Sequence, residues 1–259
     1  MAIDRVSIFV AGLLLVLGSA CATDYLSLAS KSVEEQQYVT AVEFLRQGAR
    51  EGDSRCDYYL AVLMLSGDLA GGRDPKAASK WLINAATEGL PRAQLDLGRL
   101  YETGDGVDRD PAKAAQWYRK AAVAGLPAGQ AQLGFLYAAG SGVEQDVVLA
   151  AKWYRKAAKR GDPSGQAALG VATFQGVGVP KNVVDGYVWT RLAARQGNSD
   201  ARSNLPAMAV EMTDKELKKA RYIVSKSLVK PAKSEHSPRG TRIFDSKDSV
   251  RQRRGTPGR

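Results

Sequence analysis

The sequence predicts an all-α protein: a solenoid of stacked helix hairpins. Three observations predict the repeat architecture. The four tryptophans, Trp81, Trp117, Trp153 and Trp189, follow one another at steps of 36 residues. Gly89, Gly125, Gly161 and Gly197 keep that step, as do Pro91, Pro127 and Pro163. Between these markers apolar residues recur three and four apart, the spacing of a helix face. Self-similarity at a fixed period of roughly 20–50 residues marks an array whose units bury their apolar faces against one another.

Four segments follow from this reading: 1–20, 21–37, 38–229 and 230–259. The first is read as a signal peptide. Val6 to Leu17, VSIFVAGLLLVL, is an apolar run of 12 residues. A membrane-spanning helix needs about 20, whereas a secretory signal needs about 7–15. The charge before it is weak, since Asp4 offsets Arg5. Leu17-Gly18-Ser19-Ala20-Cys21 then places small residues before a cysteine. This resembles the lipobox of bacterial lipoproteins, with Gly18 where that motif carries Leu. The resemblance implies cleavage before Cys21 and a lipid on its sulfur. Ala22 in place of Asp then implies an outer-membrane address facing the periplasm. Ordinary cleavage after Ala20 or Ala22 is the alternative, and it would leave a periplasmic or secreted protein. Residues 21–37 are polar and Ser-rich and read as a tether.

The solenoid is read over 38–229. Its cleanest unit runs from Asp110 to Asp146. Asp110 caps a helix start, and Pro111 at the first helical position lacks a donor that would otherwise be orphaned. Ala114, Trp117, Tyr118, Ala121 and Ala122 follow at helical spacing, and Gly125 ends the helix. Leu126-Pro127 opens a second helix with Gly129, Leu133, Leu136 and Tyr137 on one face. Gly140-Ser141-Gly142-Val143 turns the chain into the next unit. The earlier and later units copy these positions: Ala85 and Ala86, Ala157 and Ala158, Leu97-Gly98, Leu169-Gly170, Gly104, Gly176. A degenerate unit precedes them, with Phe44 in the Trp place and Gly52, Leu60 and Leu63 in register. Its loop, Gly67 to Arg73, is longer by one residue. Thr213-Asp214-Lys215-Glu216 fits a capping box ahead of a final capping helix through about Lys226.

This pattern of Ala, Trp-Tyr, Ala-Ala, Gly, then Leu-Gly, Tyr and Gly-x-Gly-Val resembles the Sel1-like repeat, a relative of the tetratricopeptide repeats. Residues 112–147 match it almost throughout, and the resemblance covers roughly 38–210. It implies an α/α right-handed superhelical solenoid with a concave surface and a role in binding other proteins, often at the bacterial envelope. The disulfides of the cysteine-rich branch do not transfer, because their cysteines are absent.

The chemistry-bearing residues point away from catalysis. The one histidine, His236, lies in the tail. A general base or triad histidine within the repeats is therefore missing, and no cysteine pair has zinc spacing. No metal or other cofactor is expected. Cys56 reads as a small buried apolar residue. Ser227-Leu228-Val229-Lys230 matches S-x-x-K at chance level, without the companion motifs of penicillin-binding enzymes. The Gly-x-Gly loops follow helices rather than strands and recur with the repeat, so they read as turns and not phosphate cradles. The tryptophan ladder reads as packing between hairpins.

Charge supplies the candidate binding residues. The net charge is +10; residues 230–259 hold nine Lys or Arg against three Asp or Glu, so the remainder is only mildly basic. Nucleic acid is not an expected partner, since it asks for a basic face on the fold. Arg119, Lys120, Arg155, Lys156 and Arg191 recur on the repeat step and align as a stripe that suits an acidic protein partner. A solvated helix face is the plainer alternative. The tail, 230–259, has little to bury and is expected to be disordered, with Arg251, Arg253 and Arg254 available to anionic lipid or polysaccharide. The expected function is a non-catalytic, membrane-anchored envelope scaffold. The alternatives are a cell-wall or lactam hydrolase, or a released host-interaction factor.

Overall fold

The computed structural model describes residues 24–227, and these contain helices and no strand. The expected signal peptide, Cys21, His236 and the basic tail lie outside the described residues. The helices are α1 (Tyr25–Glu34), α2 (Tyr38–Arg50), α3 (Ser54–Ser66), α4 (Pro75–Thr87), α5 (Pro91–Thr103) and α6 (Pro111–Val123). They continue with α7 (Pro127–Ala139), α8 (Val147–Lys159), α9 (Pro163–Gln175), α10 (Val183–Arg195), α11 (Ser199–Val210) and α12 (Asp214–Ser227). Together they form the right-handed α/α solenoid.

The helix boundaries have local causes that repeat. Asp74, Asp110, Asp146 and Asn182 cap α4, α6, α8 and α10. Their side-chain oxygens accept from the backbone N–H of Ala77, Lys113, Leu149 and Asp185 at 2.8–3.0 Å. Pro occupies the first turn of α4, α5, α6, α7 and α9. Gly125 closes α6 with a φ of 88°, a left-handed conformation that costs glycine little. The Thr213 capping box forms: Thr213 N–H donates to Glu216 at 2.9 Å, and Glu216 N–H returns to the Thr213 hydroxyl at 3.3 Å.

Packing across the Gly-x-Gly loops is close because glycine meets a large side chain there. A Cβ at Gly98 would stand 2.6 Å from the Tyr118 ring, and one at Gly134 the same distance from Tyr154. Gly170 faces Thr190 in the same way. These glycines let α5 lie on α6, α7 on α8 and α9 on α10. Gly142 has φ of 69° and rests on the Pro111 carbonyl, so the loop backbone seals the start of its own unit's first helix. The tryptophans are half-buried. Trp117 packs on the core of Leu82, Leu97 and Leu100, Trp153 on that of Tyr118 and Leu133, and Trp189 on that of Tyr154 and Leu169. Each thus spans two units, as expected, while Tyr118, fully buried, fills more of the interior.

The expected tether over 21–37 is corrected by α1. Asp24 caps it by accepting from Ser27 N–H at 3.2 Å. Leu26 and Ala29 are buried, in one cluster with Leu45, Cys56 and Leu60. The serines that suggested a tether are small residues at a helix contact: Ser30 and Ser32 are buried, and the Ser32 hydroxyl donates to the Leu28 carbonyl at 3.0 Å. Gln36, with φ of 58°, takes the left-handed position in the turn to α2. The array therefore starts at Tyr25 rather than near residue 38.

Candidate partner-binding surfaces

Two layers of helices expose two different surfaces. The first layer is α2, α4, α6, α8 and α10; the second is α1, α3, α5, α7, α9 and α11. Second-layer helices of successive units reach each other, α7 touching α9 and α9 touching α11, with no comparable contact between α6 and α8 or α8 and α10. In a curved stack the converging helices lie on the inside. The second layer therefore lines the concave face, and the first layer forms the outer face.

The basic stripe is on the outer face. Arg119 and Lys120 on α6, Arg155 and Lys156 on α8, and Arg191 on α10 are all exposed. Neither α6 nor α8 contains an Asp or Glu. None of the five cations pairs with a carboxylate among the described residues. Three of them contact aromatic groups instead. The Lys120 ammonium sits 3.9 Å above the Trp117 ring, and Lys156 sits 4.0 Å above Trp153. Arg119 donates to the Tyr137 hydroxyl at 2.6 Å, with its guanidinium 5.7 Å from the ring centre. The sequence named this stripe and the concave surface as two candidate binding features. The structure separates them, because the Trp-Tyr helices carrying the cations make up the layer that does not converge.

The inner face changes character along the array. Arg92, Asp96 and Arg99 occupy the open side of α5. Asp96 accepts from the Tyr58 hydroxyl at 3.1 Å and from Arg99 at 3.1 Å. Burial pushes its carboxyl above the usual range, opposed by Arg99, the Tyr58 hydrogen bond and Arg92. One and two repeat steps after Arg99, the same place holds Phe135 on α7 and Val171 on α9. There the inner face opens into a cavity of about 360 Å³ between α7, α9 and α11, with Ala168, Val171, Asp200 and Asn204 in its lining. Phe135 is 40% exposed at its edge, its ring centre 5.1 Å from that of Tyr154. Sequence reasoning missed this groove. Its signal was the change from Arg to Phe to Val at one repeat position, amid small residues that look like packing positions.

A polar ladder inside the array was also missed. Gln94, Gln130 and Gln166 are buried on the repeat step and donate to the carbonyls of Ala86, Ala122 and Ala158 at 3.2–3.3 Å. Each ties the second helix of a hairpin to the end of the first. The Gln166 oxygen accepts from Gln196 at 2.7 Å, while those of Gln94 and Gln130 are buried without a hydrogen-bond partner among the described residues.

The remaining reactive groups are occupied by structure. Cys56 is fully buried, and burial pushes its thiol up to about 12. The buried Tyr118 hydroxyl donates to Glu102 at 2.6 Å; burial, then the Glu102 contact, raises its pKa. In the first Gly-rich loop Asp110 is a helix cap, and Asp105 pairs with Arg73. No group of three or more His, Cys, Asp or Glu among the described residues is arranged to hold a metal ion.

Comparison with known proteins agrees with this geometry. A family model of the Sel1 repeat matches residues 21–53, 54–90, 91–126, 127–162 and 163–198. Its frame starts each unit at a second-layer helix, so the first match includes α1. Among solved structures, a Sel1 repeat protein from Oxalobacter formigenes aligns with a TM-score of 0.65 and 27% identity, over 85% of this chain and 97% of that one. The protein c5321, a protective antigen present in uropathogenic Escherichia coli strains, aligns with a TM-score of 0.51 and 26% identity, over 74% of this chain and 49% of that one. Among curated proteins, the chitin synthase regulator SKT5 of Saccharomyces cerevisiae is 38% identical over 73 residues, 26% of this chain. The chain spans only 10% of that relative's length. Five matched repeats and the shared solenoid show that this chain belongs to the Sel1 repeat family.

Proposed function

We propose that this protein is a non-catalytic scaffold of the bacterial cell envelope, anchored by a lipid on Cys21, that binds an acidic protein partner along its outer basic stripe. Sel1 repeat proteins are generally protein-interaction scaffolds, which supports the class of role. A regulator among the relatives supports an adaptor over an enzyme. The observation that carries the choice of surface is the set of five exposed cations with no carboxylate partner among the described residues, four of them on helices free of acidic residues. Such a row raises the local concentration of an acidic surface and fixes its register, with a strength that falls as salt screens it. The lysines are held over tryptophan rings, so they are partly ordered before the partner arrives.

Cross-linking in cells and capture of the exported protein tests this reading. Arg119→Glu, Arg155→Glu and Arg191→Glu together should lower capture of the cross-linked partner at least tenfold while circular dichroism stays unchanged. Undiminished capture would sink the stripe as the binding surface. Metabolic lipid labelling should mark the native chain and not its Cys21→Ser variant. A native chain without lipid would refute the anchor and favour the periplasmic or secreted form.

A further inference from the structure

The inner groove is an apolar seat with one charge beside it. Ala168 and Val171 of α9 line it, and Phe135 and Val177 stand exposed at 40% and 45%. Asp200 at the start of α11 also lines it, and no Lys or Arg does. Asp200 forms no ion pair among the described residues and meets only the neighbouring Ser199 hydroxyl, at 3.4 Å. An occupant that fits supplies one or two large apolar side chains and an adjacent cation. A cleft of about 360 Å³ with apolar side chains in its wall falls within the size range of ligand pockets.

The chain itself contains such a segment. Beyond α12 it continues through residues 228–259, a stretch with an excess of six positive charges. Arg242-Ile243-Phe244 places a cation next to two large apolar residues, and Phe244 is the single aromatic residue of that stretch. The groove is within reach. Helix α12 packs on α10, and α10 packs on both α9 and α11. Two helix diameters separate α12 from the groove, on the order of 20 Å. The 17 residues from Ser227 to Phe244 can extend to roughly 55–60 Å. A tethered ligand also acts at an effective concentration of about a millimolar, so a modest apolar contact suffices.

We propose that Arg242-Ile243-Phe244 docks into this groove, with Ile243 and Phe244 against Ala168 and Val171 and Arg242 against Asp200. The proposal is independent of the outer stripe, which lies on the opposite layer.

Cross-linking within the full-length chain tests it, in a Cys21→Ser background where Cys56 stays buried. Asp245→Cys is paired with Asn204→Cys at the groove, or with Gln116→Cys on the exposed face of α6 as a control. A short bis-maleimide should join residues 245 and 204 within one chain at least tenfold faster than 245 and 116. Ile243→Ser with Phe244→Ser should remove that advantage. So should Val171→Asp, a change at a half-exposed site whose fold is checked by circular dichroism. Equal rates at the two sites would overturn the proposal. An advantage that survives Ile243→Ser with Phe244→Ser would overturn it too, showing a tail held by charge alone. Cross-links found only between two chains would assign the groove to a second copy instead.

Discussion

Gly98, Gly134 and Gly170 set how near successive units come. Each stands where a side chain would collide with Tyr118, Tyr154 or Thr190 of the next unit. Tyr118 has no room to withdraw: it is fully buried, and its hydroxyl is tied to Glu102 at 2.6 Å. Gly98→Ala therefore has to separate α5 from α6 or distort the ring, an overpacking cost of about 1–3 kcal/mol. The intrinsic helix preference for alanine over glycine, about 1 kcal/mol, acts the other way and is the smaller effect. Urea denaturation should show a lower midpoint for Gly98→Ala. A midpoint at or above that of the parent would mean the contact is loose. The Leu-Gly pair was legible in the sequence as a recurring small residue. Its partner was not, because Tyr118 lies on the other side of a loop and nothing in the spacing pairs the two positions.

At the scale of elements, α1 shows where pattern reading stops. The later units announce themselves by Trp, Gly-x-Gly and Pro, and their helices fall where those markers put them. Helix α1 has none of these. Its face is made of Leu26, Ala29, Ser30 and Ser32, and a serine at a tight helix contact is indistinguishable by composition from a serine in a linker. The inner groove was hidden for a related reason: Ala167, Ala168 and Ala172 look like close-packing residues, yet they line open space. The status of α1 can be tested through Leu26, which is 5% exposed within the cluster around Leu45 and Leu60. Leu26→Asp buries a charge there and should cost about 2–4 kcal/mol, with loss of hydrogen-exchange protection in α2 and α3. A tether would tolerate the same change within about 0.5 kcal/mol.

Over the whole molecule, the 36-residue step is a rule about interfaces, and that rule can be tested by removing one unit. Deleting residues 127–162 joins Leu126 to Pro163, so α9 takes the place of α7 behind α6. The close glycine and glutamine contacts then find equivalents. Gly165, which meets Ala157, would meet Ala121, the residue Gly129 meets now. Gln166 would donate to the Ala122 carbonyl in place of Ala158, as Gln130 does. Gly178, which rests on the Val147 carbonyl, would rest on that of Pro111, as Gly142 does. Stability in such an array is close to a sum over units and their nearest-neighbour interfaces. The shortened protein should unfold in one cooperative transition, with a urea m-value lower by roughly a sixth, in proportion to the surface removed. Deleting 133–150 instead joins Gln132 of α7 to Ala151 of α8 and sets two unlike helix halves end to end. That chain should fail to fold, although it loses fewer residues. The in-phase deletion also removes the Arg155 and Lys156 rung and brings Arg191 next to Arg119 on an intact outer face. Partner capture by that variant should fall and lose part of its salt dependence. Capture that fell without any change in salt dependence would mean the stripe contributes shape rather than charge.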